Sequence, residues 1–179
     1  PARSGDDPER AKLGESLFFD VNLSRDRTQA CSTCHAPDHA FTDPRETTAG
    51  RAASLGDDGT SLGDRNAPTA AYASFAPVFG RNAKGRWAGG QFHDGREPDL
   101  EGQAGGPPLN PLEMGMPSKS AVVGRLKENP DYVSRFQKIF GKDVFADDER
   151  AYAAMTQAIA AFERTPLFQP FDSKYDRAL

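Results

Sequence analysis

Cys31 and Cys34 are separated by two residues and followed directly by His35, a single C-x-x-C-H motif that contains both cysteines of the chain. Two thiols at this spacing can add to the two vinyl groups of one haem, and the next histidine then binds the iron from one side. A zinc site would need two further ligands, and a redox dithiol would need a βαβ unit that the neighbouring sequence does not show. The motif therefore predicts one covalent haem c with His35 as proximal ligand.

The composition fits a loop-rich domain that wraps around a cofactor. The 179 residues include 17 glycines and 14 prolines, and only 37% of them are hydrophobic. Because a haem is itself a large apolar group, such a domain can bury fewer side chains and still have a core. The net charge of −4, without a basic patch, argues against nucleic-acid binding. No apolar run approaches the roughly 18 residues that a membrane-spanning helix needs.

The chain starts at Pro1 without a hydrophobic leader, which is typical of a mature N-terminus. Haem is attached to C-x-x-C-H motifs outside the cytoplasm, so we expect a periplasmic protein whose signal peptide has been removed. We also expect no disulfide, because the haem uses both cysteines. The length predicts one domain, or one with a small satellite, and we expect a single haem domain over residues 1–179.

Helical periodicity and capping signals predict the elements that position the motif. Asp6 or Asp7 caps the first helix, and Ser118, Asn129 and Asp147 or Asp148 precede the last three. The predicted helices cover residues 8–19, 31–35, 69–75, 99–104, 118–128, 130–140 and 147–164. No convincing alternating strand is present, so the predicted fold class is all-α, a cytochrome c-like haem domain with long irregular loops. The loop at 44–66 is either a functional segment or a plain surface loop.

The face of the iron opposite His35 decides the function. Its candidate strong ligands are His39, His93, Met114 and Met116. We expect His39 to be exposed, because it is too close to His35 along the chain to reach the opposite face. The two methionines are far enough away, although core packing is the commoner role for methionine. His93 lies in a glycine-rich loop and could ligate the iron, hydrogen-bond a propionate or do neither.

If the opposite position is open, acid–base groups near it become important. A carboxylate there can move a proton between the two oxygens of hydrogen peroxide, and Glu113 is the candidate. Gln103 could orient the bound oxygen through its amide. The alternative is that Glu113 caps a turn and Gln103 lies on a solvated helix face, and spacing alone favours this alternative.

A series of short motifs extends from the first predicted helix to the last one. They are LGESLFFD at 13–20 with Leu23-Ser24, CSTCH at 31–35 with AFTD at 40–43, RNAPT at 65–69, FHDGR at 92–96, LEGQA at 100–104, NPLEM at 110–114 and AIAAFERT at 158–165. Together and in this order they resemble the N-terminal haem domain of the bacterial di-haem cytochrome c peroxidase and MauG family.

The resemblance implies a role for each matched residue. Glu113 would be the distal acid–base residue and Gln103 its partner, acting opposite His35. Asn66 matches a ligand of a calcium ion that lies between the two haem domains. The implied reaction is the reduction of hydrogen peroxide to water, with electrons from a small c-type cytochrome or a cupredoxin. The further candidate haem contacts are His93, Met114, Trp87 and Arg96.

The chain also departs from the family pattern. It has one C-x-x-C-H where family members have two. We therefore expect a single haem domain, with the second haem domain absent or supplied by another chain or domain. His93 stands where the family usually has a tryptophan between the haems. The loop at 44–66 lacks the histidine that closes this haem at rest in many of these peroxidases. This favours a permanently open haem, unless His93 or a methionine closes it.

The leading hypothesis is thus a haem c oxidoreductase domain that reacts with hydrogen peroxide. The alternative is a one-haem electron-transfer cytochrome with a methionine or histidine as sixth ligand. A third hypothesis is a sensor that binds a diatomic ligand.

Overall fold

The computed structural model describes residues 7–178 and contains six α-helices within them. The helices are α1 (Pro8–Phe18), α2 (Cys31–Cys34), α3 (Leu100–Ala104), α4 (Lys119–Lys127), α5 (Pro130–Phe140) and α6 (Asp148–Glu163). Short 3₁₀ turns lie at Val21–Leu23, Pro37–His39, Ala73–Phe75, Pro107–Leu109, Val144–Ala146, Pro166–Phe168 and Asp176–Ala178. The predicted all-α fold class is confirmed. No helix in the described part of the chain is long and apolar enough to cross a membrane.

Helix α6 is the centre of the fold, and α1 packs directly against it. A Cβ added at Gly14 would lie 1.8 Å from the carbonyl oxygen of Ala158, so the two backbones touch where only a glycine fits. Around this contact Phe18 packs edge-on against Phe162 and Phe168, with ring centroids 5.4 and 5.5 Å apart. Each fully buried side chain of this size contributes about 1.5–3 kcal/mol. The helices α3, α4 and α5 complete the core around the same pair.

Side-chain caps fix where the helices begin, as predicted. The Asp7 carboxylate accepts from the Arg10 N–H at 2.7 Å, while Asp6 lies outside the described residues. Ser118, Asn129 and Asp147 cap α4, α5 and α6 in the same way. These bonds satisfy N–H groups that have no partner inside the helix, and each is worth roughly 1 kcal/mol.

Two local predictions are wrong. The segment 69–75 is not a helix, because Tyr72 adopts a left-handed φ of 59° and its N–H donates to the Phe168 carbonyl at 2.8 Å. Only the 3₁₀ turn Ala73–Phe75 forms there. A small antiparallel hairpin also exists where no strand was predicted, with β1 (Gly80–Arg81) paired to β2 (Trp87–Ala88). Two-residue strands are too short to give an alternating pattern.

Candidate functional site

The predicted site residues converge on one cavity of about 410 Å³, enclosed by α2, α3, α6 and the intervening loops. This volume lies in the usual range for small-molecule and cofactor sites. Almost all of the predicted residues line it, namely Cys31, Cys34, His35, Asn66, His93, Arg96, Gln103, Glu113 and Met114. Residues spread over more than 80 positions of sequence therefore meet at one place.

His35 follows α2, and its ring lies against backbone carbonyl groups of the neighbouring loops. Its Nδ1 lies 3.1 Å from the Phe41 carbonyl oxygen, so Nδ1 carries the proton and Nε2 keeps its lone pair for a metal. Burial lowers the pKa of His35, and the Phe41 carbonyl, the Asp43 charge and the Pro68 carbonyl offset part of this effect. The imidazole is thus the neutral form that ligates iron.

Two residues with strained backbone conformations position the Phe41 carbonyl group. Ala40 and Phe41 both have left-handed conformations, with φ of 53° and 57°. Such residues cost on the order of 1–3 kcal/mol each. The buried Phe41 ring stacks on Phe168 at 4.1 Å between centroids, and this contact helps to offset the cost. The core therefore orients the proximal histidine through residues 40–41.

The two cysteines are free thiols at the cavity wall. Burial raises the pKa of Cys31 to about 12 and that of Cys34 to about 11. Arg45 Nη2 lies 3.2 Å from Cys34 Sγ and partly opposes the rise there. Within residues 7–178 no group of three or more His, Cys, Asp or Glu side chains is placed to hold a metal ion.

A buried polar atom without a hydrogen-bond partner also indicates a bound group. Gln29 lines the cavity and is 2% exposed. Its Nε2 donates to the Leu55 carbonyl, while its Oε1 is buried without a hydrogen-bond partner among the described residues. Buried acceptors normally have a partner, which for Gln29 Oε1 would be a water or a polar group of a bound cofactor. Together with the paired thiols and His35 Nε2, this fits a covalently attached haem.

Glu113 is half-buried, and the turn before it holds its carboxylate. Asn110 Nδ2 donates to Glu113 Oε1 at 2.9 Å. Burial raises the pKa of Glu113, the Asn110 bond and the Arg96 cation act in the opposite direction, and Asp64 adds to the rise. A carboxyl group in a cavity whose pKa is raised by burial is suited to exchange protons with a bound substrate.

Gln103 lies on α3, whose start is fixed by Asp99. The Asp99 carboxylate accepts from the Gly102 N–H at 3.0 Å. Leu100 and Ala104 line the same cavity on either side of Gln103, so one face of α3 forms part of the wall. Gln103 and Glu113 therefore share a cavity with the proximal histidine, and the solvated-face alternative is wrong for Gln103, which is half-buried.

The remaining predicted contacts divide into two groups. His93 lies at the exposed rim, with Nε2 3.2 Å from the Asn66 carbonyl oxygen, and Arg96 lies over the Phe92 ring at 3.7 Å. Met114 is buried and lines the cavity.

Three of the candidates, Trp87, Met116 and His39, do not line the cavity. Trp87 is held by the hairpin, 62% exposed and stacked on Phe79 at 5.2 Å, and its role as a haem contact stays a prediction. Met116 is buried in the helical core and does not line the cavity. His39 is exposed beside Asp38, as expected.

The loop at 44–66 is more than a surface loop, because part of it supports Glu113. Asp57 is buried, its N–H donates to the Glu113 carbonyl at 2.8 Å, and its carboxylate accepts from Thr28 and from the Asp26 N–H. A Cβ at Gly56 would lie 2.7 Å from the Leu112 carbonyl oxygen. Sequence reasoning missed Asp57, Gln29 and the cavity-lining Glu163, and the signal available for the last was its position in the AIAAFERT motif.

Comparison with known proteins places the chain in a family. A family model described as di-haem cytochrome c peroxidase matches residues 8–179. The methylamine utilization protein MauG of Paracoccus denitrificans is 55% identical over 178 residues, which cover 99% of this chain and 46% of that protein. The cytochrome c peroxidase Ccp of Escherichia coli is 35% identical over 179 residues, covering all of this chain and 33% of Ccp.

A solved structure agrees with these matches. The diheme peroxidase BthA from Burkholderia thailandensis superposes with a TM-score of 0.87 at 31% identity, over 94% of this chain and 41% of BthA. The chain thus spans less than half the length of the relatives it matches. Because the family model matches nearly the whole chain, we conclude that the chain belongs to the di-haem cytochrome c peroxidase family, whose cofactor is haem c.

Proposed function

We propose that this chain is the peroxide-reacting haem domain of a di-haem peroxidase-type protein. In this proposal residues 1–179 form one periplasmic domain with one covalent haem c, and hydrogen peroxide is reduced to water. The observation that carries the proposal is that Glu113 and Gln103 line the same cavity as both cysteines and His35. Relatives named cytochrome c peroxidase support the reaction class.

Three side chains of the motif would hold the haem. Cys31 and Cys34 supply the thiols for the two thioether bonds, and His35 Nε2 is free to bind the iron because Nδ1 is engaged by Phe41. When bound, the haem supplies the iron at which peroxide is reduced. Gln29 Oε1 at the cavity wall offers an acceptor to a water or to a group of the bound cofactor.

Glu113 would transfer the proton, and Gln103 would orient the substrate. The Glu113 carboxylate would accept a proton from one peroxide oxygen and deliver it to the other, which leaves as water. Two electrons from the redox donor and two protons from solvent would convert the remaining oxygen to a second water. Asn110 holds the carboxylate at Oε1 and leaves Oε2 for this exchange. The Gln103 amide can donate to a peroxide oxygen and so fix its position next to the carboxyl group.

Partners complete the cycle in this proposal. The family is di-haem, so we propose that a second haem domain, on the same or another chain, passes electrons to this one. The external donor would be a small c-type cytochrome or a cupredoxin. A calcium ion at Asn66 belongs to the same proposal. Asn66 is exposed, and its further ligands would come from outside residues 7–178.

One observation favours the rival function of a one-haem electron carrier. Met114 lines the cavity and is 3% exposed, so a thioether is available close to the proposed haem. The absorption spectrum of the ferric protein separates the two functions. High-spin bands that shift with cyanide support the peroxidase, whereas low-spin bands that ignore it support the carrier.

The decisive experiment is Glu113→Gln. We expect peroxide turnover to fall about 10²–10⁴-fold, because the proton acceptor is lost while the size of the side chain is kept. In the unchanged protein, turnover should fall as pH drops through the raised pKa of Glu113, that is, at a higher pH than for an exposed glutamate. In Glu113→Gln this fall of turnover at low pH should be absent.

Glu15→Gln is the matched control, since Glu15 is exposed on α1 away from the cavity. It should leave turnover and its pH profile unchanged. Haem content, measured by absorbance, should be equal in all three proteins. If Glu113→Gln retained full turnover, the proposed role of the carboxyl group would be wrong.

A further inference from the structure

Glu163 is a buried carboxyl group of the cavity that the proposed peroxide chemistry does not use. It is the last residue of α6, is 6% exposed and lines the cavity one helical turn after Ile159, which also lines it. Cys31, at the start of α2, is close enough for the two groups to interact electrostatically. Glu163 therefore lies beside a haem attachment point and on a different element from Glu113.

The charges around Glu163 do not neutralise it fully. The neighbouring Arg164 directs Nη2 to the Glu101 carboxylate of α3, at 2.6 and 2.7 Å. Burial is the largest cause that raises the pKa of Glu163 to about 8, the Arg164 cation opposes it, and the Glu101 charge adds to it. From α2 the facing group is Cys31, which carries no charge once it forms the proposed thioether. From α1 the buried residues are apolar or glycine, namely Leu13, Gly14, Leu17 and Phe18.

Such a group responds to any charge that appears in the cavity. In a low-dielectric site a carboxylate interacts strongly with a nearby redox centre, and the form that it adopts depends on the charge of that centre. A one-electron reduction makes the cavity more negative and favours the neutral carboxylic acid. Oxidation makes it more positive and favours the carboxylate.

We propose that Glu163 is the redox-linked proton site of this haem cavity, taking up one proton when the haem is reduced and releasing it when the haem is oxidised. The electron comes from a one-electron donor protein and the proton from solvent water. The Glu163 carboxylate becomes a carboxylic acid, so the total charge in the cavity stays constant. The reduction is thereby favoured at low pH, when the site can be protonated.

This inference rests on the proposed haem seat, that is, on haem attachment at Cys31, Cys34 and His35. It is tested by a property other than turnover. The midpoint potential of the haem-loaded protein is measured from pH 5 to 10 by optical redox titration for the unchanged protein, Glu163→Gln and the control Glu15→Gln. In the unchanged and control proteins the reduction constant should fall up to tenfold per pH unit over part of this range, or about 59 mV for one electron. In Glu163→Gln that segment should be flat.

A second measurement covers the case in which Glu163→Gln fails to retain haem. Reduced-minus-oxidised infrared spectra of Glu113→Gln, which lacks the other cavity carboxyl group with a raised pKa, should show a protonated carboxyl C=O band that appears on reduction and shifts in D₂O. The inference is overturned if the potential of the unchanged protein is independent of pH, if the slope persists in Glu163→Gln, or if no carboxyl band appears.

The inference and the proposed function can fail separately. Failure of Glu113→Gln to slow peroxide turnover would reject the proposed function and leave the proton site intact. A Glu163→Gln protein with unchanged potentials and normal turnover would reject only the proton site.

Discussion

The cavity has two walls that are built by different means. One wall is helical, with Ile159 and Glu163 on α6 and Gln103 on α3, and it rests on a packed apolar core. The other wall consists of loops, in which single polar residues such as Asp57 and Asn110 fix the backbone. The helical wall is stabilised by buried area and the loop wall by hydrogen bonds.

The difference also separates two kinds of chemistry. The proposed haem seat and the redox-linked Glu163 belong to segments that touch the core, because His35 is oriented by Phe41, which stacks on Phe168. The proposed peroxide chemistry depends on Glu113, whose backbone is held by the loop residue Asp57. Damage to one wall should therefore have a different signature from damage to the other.

The largest effect is expected at the contact between α1 and α6. Gly14→Ala should lower the free energy of unfolding by about 3 kcal/mol, because the added methyl group meets backbone atoms of Ala158 that cannot rotate away. This exceeds the roughly 1 kcal/mol that alanine gains over glycine in a helix. Urea denaturation followed by circular dichroism measures it.

Gly124→Ala is the matched control for that change. A Cβ at Gly124 of α4 meets nothing within 4 Å, so only the helix-propensity gain remains and the protein should become slightly more stable. Equal stability of the Gly14→Ala variant and the unchanged protein would show that the helical wall does not depend on this close approach.

The next largest effect is expected in the loop wall. Asp57→Ala removes a buried carboxylate that accepts from the Asp26 N–H and from the Thr28 hydroxyl. We expect a loss of about 2 kcal/mol. Faster amide hydrogen exchange should be confined to residues 24–29 and 54–63, while α1 and α6 stay protected.

Asp58→Ala tests whether this effect is specific. Asp58 is exposed, and its carboxylate accepts from Thr60 and Ser61 within its own turn. Its loss should affect that turn alone and leave peroxide turnover unchanged, whereas Asp57→Ala should lower turnover through the Glu113 backbone. If both variants behaved alike, Asp57 would not connect the loop to the site.

The same comparison explains what sequence could predict. Helix starts at Ser118, Asn129 and Asp147 follow from one capping residue and a local apolar period, so they were predicted closely. The left-handed Tyr72 could not be predicted, because it is fixed by a hydrogen bond to Phe168, about 100 residues away. Local signals do not contain such long-range contacts.

The site shows the same division. The C-x-x-C-H motif predicted the attachment residues by spacing alone, and Glu113 and Gln103 were singled out by family resemblance. The support from Asp57 and the burial of Glu163 are tertiary properties. An isolated aspartate in a Gly- and Asp-rich loop has the signature of a turn residue, and a glutamate at a helix end has that of a solvated one.

The smallest effect is expected at the hairpin, and it tests how far the loop wall extends. Trp87→Leu should change the free energy of unfolding by less than about 0.5 kcal/mol, because Trp87 is 62% exposed and loses only surface contacts, its stacking on Phe79 and the Arg81 guanidinium over its ring. The haem absorption bands should not move.

Phe168→Leu is the matching change of an aromatic residue in the core. It should lower the free energy of unfolding by more, on the order of 1 kcal/mol. It should also shift the haem absorption bands, because the Phe168 ring supports Phe41, whose carbonyl orients His35. If Trp87→Leu shifted the haem spectrum as Phe168→Leu does, the hairpin would belong to the cavity wall. Trp87 would then contact the haem after all, and its exposure would reflect a surface that the haem covers.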